Sequence, residues 1–130
     1  MGKAEFIVID DDPINNIICQ KLIELALPGS RVTTFTDVRP ALSKLAESVA
    51  SPSQKSILFL DINMPELNGW DFLDIFETYD ETIRKNISIY LLSSSINQQD
   101  IDKAGENANV ISFISKPLTK SVLQQISGTA

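Results

Sequence analysis

Four side chains that could take part in phosphoryl chemistry each lie at or just beyond the end of a short apolar run. Asp10 and Asp11 follow residues 6–9, Asp61 follows residues 57–60, and Lys116 comes shortly after residues 110–114. If these runs are parallel strands, the three carboxylates and the amine meet at one edge of a sheet. Like charges repel there unless a cation lies among them. The pattern therefore predicts a Mg²⁺ site with a carboxylate placed to accept a phosphoryl group.

Short runs of β-branched and aromatic residues alternate along the chain with helical patterns. We predict strands at residues 6–9, 31–35, 57–60, 87–92 and 110–114. Each is followed by a segment with apolar residues at helical spacing. Five such β-α units predict an α/β fold, a five-stranded parallel sheet with helices on both faces.

The first and fourth helical segments differ in character. The first should begin at residues 12–13, where aspartate can cap a helix and proline suits its first turn, and should end at residues 28–29. Its apolar residues recur at helical spacing: Ile14, Ile17, Ile18, Leu22 and Leu25. Cys19, in the same helix, is interpreted as a small core residue. The fourth, residues 97–107, is rich in Asn, Gln, Asp and Lys, which fits a weakly packed, mobile element.

Composition narrows the class of protein. A length of 130 residues with 43% hydrophobic residues and no repeat or linker predicts one domain, residues 1–130, with a real core. A net charge of −6 without any Lys/Arg cluster argues against direct binding of nucleic acid. The chain has one cysteine and no histidine, so an intrachain disulfide and histidine chemistry are excluded. No run is long enough to insert into a membrane and no secretory signal is present, so we expect a cytoplasmic protein.

Four segments together resemble the receiver domain of bacterial two-component response regulators, a CheY-like domain. They are residues 6–13 (FIVIDDDP), residues 60–65 (LDINMP) with Gly69, residues 92–95 (LSSS) and residues 113–117 (FISKP). Each segment is weak alone, but the combination covers nearly the whole chain. The resemblance implies a flavodoxin-like sheet of order 2-1-3-4-5. It also implies a phosphorylated signalling domain rather than an enzyme, one that catalyses only its own phosphorylation and dephosphorylation.

The resemblance also implies the residues of the acceptor and metal site. Asp61 is expected to be the phosphoacceptor, and Asp10 and Asp11 the acidic pair that holds Mg²⁺. Asn63 matches the position whose backbone carbonyl completes the metal site. Asp61 would attack phosphorus as an anion, and a divalent cation would remove the repulsion between the two. Asp11 and Asp61 would ligate directly and Asp10 through water.

Three further positions match the residues that sense the phosphoryl group. Lys116 is expected to pair with the phosphoryl group. In the family, the peptide bond between this lysine and the following proline, here Pro117, is typically cis. Ser93 matches the switch hydroxyl and Phe113 the switch aromatic, so that phosphate contacts would bias a two-state element. The surface of the fourth helix, fifth strand and fifth helix should change most.

Other roles remain open for several of these residues. Asp12, before a proline, is favoured as a helix cap over a metal ligand. Phe113 alternates with Ile111 on its strand and could be plain core. Ser93 could belong to a loop or helix cap, and Lys116 could be a surface lysine at a strand end.

The expected function is Mg²⁺-dependent phosphoryl transfer from a phosphohistidine to Asp61, which switches protein-protein contacts. The implied partners are a sensor histidine kinase or a histidine phosphotransfer protein, and a downstream effector; a phosphorylation-dependent dimer is also allowed. One alternative is a relay that passes the phosphoryl group on to a histidine phosphotransfer protein. Less favoured are a haloacid-dehalogenase-like phosphatase, a flavodoxin and a receiver that binds partners without phosphorylation.

Overall fold

The structure is a computed structural model that describes residues 5–47, 55–94, 97–116 and 118–129. Pro117, whose peptide bond the family resemblance addresses, lies outside these ranges. The strands are β1 Glu5–Ile9, β2 Arg31–Phe35, β3 Ser56–Asp61, β4 Ile87–Ser93 and β5 Val110–Ser115. The helices are α1 Pro13–Ala26, α2 Val38–Glu47, α3 Gly69–Phe76, α4 Glu81–Arg84, α5 Gln98–Glu106 and α6 Lys120–Thr129.

The five strands form one parallel sheet in the order β2-β1-β3-β4-β5. The predicted fold class and strand order are therefore confirmed. Strand β3 is buried along its whole length, and β1 is buried from Phe6 to Ile9. Such continuous burial is typical of a parallel sheet whose two faces are both covered by helices.

Alternation along the strands divides the core into two layers. Ile7 and Ile9 of β1 face the layer formed with α2 and α3, whereas Phe6 and Val8 face the layer formed with α1 and α6. Successive side chains of a strand point to opposite faces, so one short apolar run serves both layers. Phe6 stacks on Phe59 of the neighbouring β3 with ring centroids 6.1 Å apart, which fixes the centre of the second layer.

Helix α1 is rotated so that most of the apolar residues named above face solvent. The exposed fractions are 66% for Ile14, 58% for Ile17, 55% for Ile18 and 75% for Leu25. The buried residues of the helix are instead Asn16, Cys19 and Ile23, so Cys19 is confirmed as a core residue. These apolar residues do share one face of the helix. That face points to solvent, however, whereas an apolar face at helical spacing usually faces the core.

A buried hydrogen-bonded anchor explains this rotation. The Asn16 side-chain amide donates to the carbonyl of Asp10 at 3.0 Å and to that of Phe35 at 3.2 Å. These carbonyls lie at the ends of β1 and β2, so Asn16 must face the sheet. Positions 14, 18 and 25 are then about 180° away around the helix.

The region after β3 contains a helix that the sequence patterns did not indicate. The spacing of Phe72, Phe76 and Tyr79 predicts one helix through Tyr79, but α3 ends at Phe76. The short α4 follows, capped by Asp80 through a bond from the Thr82 N–H. The Tyr79 hydroxyl donates to the carbonyl of Leu42 at 3.1 Å and ties this segment to α2. The short helix α4 thus leads the chain from α3 to the start of β4.

Helix α5 is held loosely, as expected from its composition. Asn97 caps it by accepting the Asp100 N–H at 2.8 Å, and the helix buries only Ala104 among its residues. The ammonium group of Lys103 lies 4.6 Å from the centre of the Trp70 ring and links α5 to the start of α3. None of the helices in the described ranges is both long and apolar enough to cross a membrane.

Gly69 leaves no room for a side chain, because the backbone at the end of β3 passes directly against it. A Cβ there would lie 2.7 Å from the Asp61 carbonyl oxygen and 2.9 Å from Ile62 Cα, and neither backbone atom can move freely. We expect Gly69→Ala to lower the free energy of unfolding by about 1–3 kcal/mol in urea denaturation. Gly105→Ala is the matched control: its Cβ meets nothing within 4 Å, so it should be neutral or stabilise α5 by up to about 1 kcal/mol. Equal effects would contradict this account.

Candidate phosphoacceptor site

The carboxyl ends of four strands bring the predicted site residues to one edge of the sheet. Asp10 directly follows β1, Asp61 and Ser93 end β3 and β4, and Lys116 directly follows β5. The Lys116 N–H donates to the Ser93 carbonyl at 2.9 Å, which fixes the end of β5 beside β4. Neighbouring parallel strands end at the same edge, so residues far apart in sequence meet there.

Three of the acids form one cluster. Carboxylate oxygens of Asp10, Asp11 and Asp61 all lie within 4.8 Å of one another. Asp10 and Asp61 are buried, whereas Asp11 is exposed. This set offers only oxygen atoms and is open on one side, which fits Mg²⁺, a cation that takes oxygen ligands and keeps several waters. The donor chemistry thus agrees with the predicted metal site.

Lys116 lies between the two buried carboxylates. Its Nζ is 2.7 Å from Asp10 Oδ2 and 3.5 Å from Asp61 Oδ1. Burial alone would lower the pKa of this amine, but the hydrogen bond and charge of Asp10, together with the charge of Asp61, raise it above its usual value. Lys116 is therefore a permanent cation next to Asp61.

Asp61 has an unusual proton affinity for a carboxylate. Burial raises its pKa to about 6, and the negative charge of Asp10 raises it as well. Lys116 and a hydrogen bond from the Asn63 backbone N–H oppose this rise without cancelling it. Ionisation of Asp61 in the folded protein therefore costs free energy, and a nearby cation would lower that cost.

Asp10 is held by three donors from the protein. Its Oδ1 accepts the Asp12 N–H at 2.9 Å, and its Oδ2 accepts Lys116 and the Asn15 side-chain amide, both at 2.7 Å. The sequence patterns did not indicate a role for Asn15 or Asn16. Two amides inside an apolar helix, one turn after an acidic run, were the signal that could have identified them.

Asp12 does not belong to the cluster. Its carboxylate accepts the Ile14 N–H at 3.0 Å at the start of α1, which confirms the favoured role as a helix cap. Asn63 lies two residues beyond Asp61 with an exposed side chain, so its backbone is the part that reaches the site.

Ser93 and Phe113 occupy different depths near the edge. Ser93 is fully buried at the end of β4. Phe113 is half-buried, pairs with Leu91 in the sheet and packs against the layer formed with α2 and α3. It is thus neither plain core nor free in solvent.

Ile111 is exposed because β5 is irregular. The register jumps from Ile89–Val110 to Tyr90–Ser112, which leaves Ile111 as the extra residue of a bulge. Bulges occur mostly at sheet edges, and β5 is an edge strand. Ile111 therefore does not share the environment of Phe113.

The raised pKa of Asp61 predicts a pH-dependent gain in stability for Asp61→Asn without divalent metal. Between about pH 4 and pH 6 the folded parent keeps a proton that the unfolded chain has lost, so its stability falls as pH rises. The advantage of the neutral amide should be smallest near pH 4 and reach about 1–3 kcal/mol above pH 6. Urea denaturation in EDTA across this range measures it.

The control for that experiment is Asp74→Asn, which removes an exposed carboxylate on α3. It reports the effect of one fewer negative charge on the whole protein. A stability difference for Asp61→Asn that does not change with pH, or that matches Asp74→Asn, would contradict the environment described for Asp61.

Comparisons with known proteins agree with this geometry. The sequence model of the response regulator receiver domain matches residues 6–127. A two-component response regulator from Cytophaga hutchinsonii has 31% sequence identity and a TM-score of 0.89, with 99% of this chain and 97% of that one covered. A response regulator receiver protein from Dyadobacter fermentans shares the fold, with a TM-score of 0.88 at 24% identity over 97% and 96% of the two chains.

A longer relative shows the same unit as one part of a larger protein. The sensory/regulatory protein RpfC of Xanthomonas campestris is 26% identical over 121 residues, which make up 93% of this chain and 16% of that protein. The chain therefore spans a small fraction of that relative's length. The family match over almost all of its residues, together with the shared fold, shows that this protein belongs to the response regulator receiver domains of two-component signalling systems.

Proposed function

We propose that Asp61 takes a phosphoryl group from a phosphohistidine donor and that the resulting acyl phosphate changes the protein's contacts. The observation that carries this proposal is the position of Asp61, buried at a strand end between two other carboxylates and a lysine. An Asp61 oxygen attacks phosphorus, the phosphorus–nitrogen bond breaks, and the imidazole leaves with the electron pair. Water later hydrolyses the acyl phosphate. The phosphatase and flavodoxin alternatives give way to the family assignment.

The acidic cluster is proposed to bind Mg²⁺. Asp11 and Asp61 would be direct ligands, with the Asn63 backbone carbonyl beside them. Asp10 would act through water, because both of its oxygens already accept protein donors. Bound Mg²⁺ would supply the positive charge that lets a carboxylate approach a phosphoryl group.

The remaining site residues are proposed to hold and sense the product. Lys116, already 3.5 Å from Asp61, would pair with a phosphoryl oxygen. Ser93 would donate a hydrogen bond to another oxygen from the end of β4. Phe113 would change its packing as Ser93 moves, and half-burial leaves it room to do so. The surface of α5, β5 and α6, with exposed Ile101 and Ile111, is the proposed contact for an effector or a second copy.

The exposed stripe of α1 supports docking of a phosphodonor protein, either a sensor histidine kinase or a histidine phosphotransfer protein. Ile14, Ile17 and Ile18 form an apolar surface that begins beside the acidic cluster. Exposed contiguous apolar surface marks interaction sites in soluble proteins. A partner seated there would bring a histidine over Asp61. Because kinases of this type use cytoplasmic ATP, the proposal implies a cytoplasmic receiver. We also propose that residues 1–130 form one folded domain.

Acetyl phosphate, a small donor, tests the acceptor directly by intact mass. The parent should gain one phosphoryl group with Mg²⁺ and none in EDTA, because repulsion among the carboxylates blocks attack without a cation. Asp61→Asn should gain none. Asp12→Asn, the same change at a helix cap outside the cluster, should behave as the parent. Phosphorylation of Asp61→Asn, or none in the parent under any condition, would refute the proposal.

Substitutions on the α1 stripe should separate docking from chemistry. Ile18→Gln should slow transfer from a phosphorylated histidine phosphotransfer protein about ten-fold, because apolar contact area is lost, and leave acetyl phosphate labelling unchanged. Ile111→Gln is the matched control, since Ile111 is 57% exposed and Ile18 55% exposed. Equal transfer rates for the two variants would place the docking surface elsewhere. Loss of label from the receiver back to the partner would favour the relay alternative.

A further inference from the structure

The buried carboxylate of Asp10 depends on two side-chain donors that come from opposite ends of the chain. Lys116 Nζ and the Asn15 amide both donate to Oδ2 at 2.7 Å, whereas Oδ1 accepts the Asp12 backbone N–H. Asp10 is only 1% exposed, so water contributes little to its solvation. A buried carboxylate without adequate partners is strongly disfavoured.

The two side-chain donors differ in how firmly they are held. Lys116 lies at the end of a flexible stem and is within reach of both Asp10 and Asp61, at 2.7 and 3.5 Å. Asn15 lies in the first turn of α1, between the proline at its start and Asn16, whose amide is bonded to the ends of β1 and β2. The helix backbone therefore holds Asn15 in place, whereas the flexible side chain of Lys116 can rotate from Asp10 towards Asp61.

Phosphorylation of Asp61 changes the balance between the two carboxylates. A phosphoryl group adds negative charge on the Asp61 side of the Lys116 ammonium, and an ammonium follows the stronger anion. As Lys116 turns, Asp10 loses its charged partner. Asn15 is then the one side-chain donor to Asp10 that remains among the described contacts.

The orientation of the Asn15 amide follows from its surroundings. Its nitrogen faces Asp10 Oδ2 at 2.7 Å and Cys19 Sγ at 3.7 Å. The opposite orientation would place two oxygen acceptors against each other at that distance, which a carboxylate does not tolerate. The donor role is thus set by chemistry and not by an arbitrary assignment.

We propose that Asn15 is a positioning residue that holds Asp10 in place when Lys116 turns towards a phosphoryl group on Asp61. It keeps Asp10 oriented towards the cation site in the phosphorylated state, where Lys116 no longer does so. The inference rests on the proposed function, because it requires phosphorylation of Asp61. It extends the site by a residue on α1, the helix that also carries the exposed isoleucine stripe.

The test uses BeF₃⁻, which binds a carboxylate in the manner of a phosphoryl group. Its affinity for the full chain is measured by isothermal titration calorimetry with Mg²⁺ at constant excess, beside the free energy of unfolding without ligand. Asn15→Leu, which keeps the size of the side chain but removes the donor, should weaken BeF₃⁻ binding about ten-fold. Gln20→Leu is the control: it makes the same type of change one turn along α1, where the amide bonds to Glu24.

A merely structural role would lower stability and leave the affinity of the folded protein unchanged. Asn15→Ala, which suits a helix better, replaces Asn15→Leu if the latter does not fold, with the same expected loss of affinity. An affinity within two-fold of that of Gln20→Leu overturns the proposal while the acceptor function stands. A parent that neither binds BeF₃⁻ nor gains a phosphoryl group overturns both.

Discussion

Repulsion between two buried carboxylates is the constraint around which the rest of the site is arranged. Asp10 follows β1 and Asp61 ends the adjacent β3, so the sheet brings them together whatever their charge. Burial and the charge of Asp10 raise the pKa of Asp61 to about 6, although Lys116 offsets part of the repulsion. The remaining excess of negative charge suits a divalent cation.

Helix α1 connects this site to the outside of the molecule. Asn16 anchors the helix to the ends of β1 and β2, and Asn15, the preceding residue, contacts Asp10. The same rotation that places these amides inwards exposes Ile14 and Ile18 beside the acidic cluster. One helix therefore shapes the interior of the site and offers the surface that a partner would meet. The coupling is geometric, since the helix cannot turn one face without turning the other.

On the other side of the site, α5 contributes little to the buried core. The helix buries only Ala104 among its residues, and its Lys103 contacts Trp70 at the start of α3. Trp70 follows Gly69, where an added Cβ would lie 2.7 Å from the Asp61 carbonyl oxygen. A rigid contact at the acceptor thus leads within a few residues to a weakly held helix. Regions with few buried residues respond to small changes in free energy, which suits the surface that we propose to change with phosphorylation.

The five strands and the meeting of Asp10, Asp61 and Lys116 at one edge could be predicted from the amino-acid sequence, and a family resemblance supplied the strand order. Local signals were sufficient for these features, because strand runs and helix caps such as Asp12 are encoded by adjacent residues. The buried face of α1 could not be predicted in this way, because the rotation of the helix depends on hydrogen bonds from Asn16 to Asp10 and to the distant Phe35. The same is true of the bulge at Ile111, whose cause lies in pairing with β4. Periodicity fixes which residues share a face, but contacts between segments distant in sequence fix where that face points.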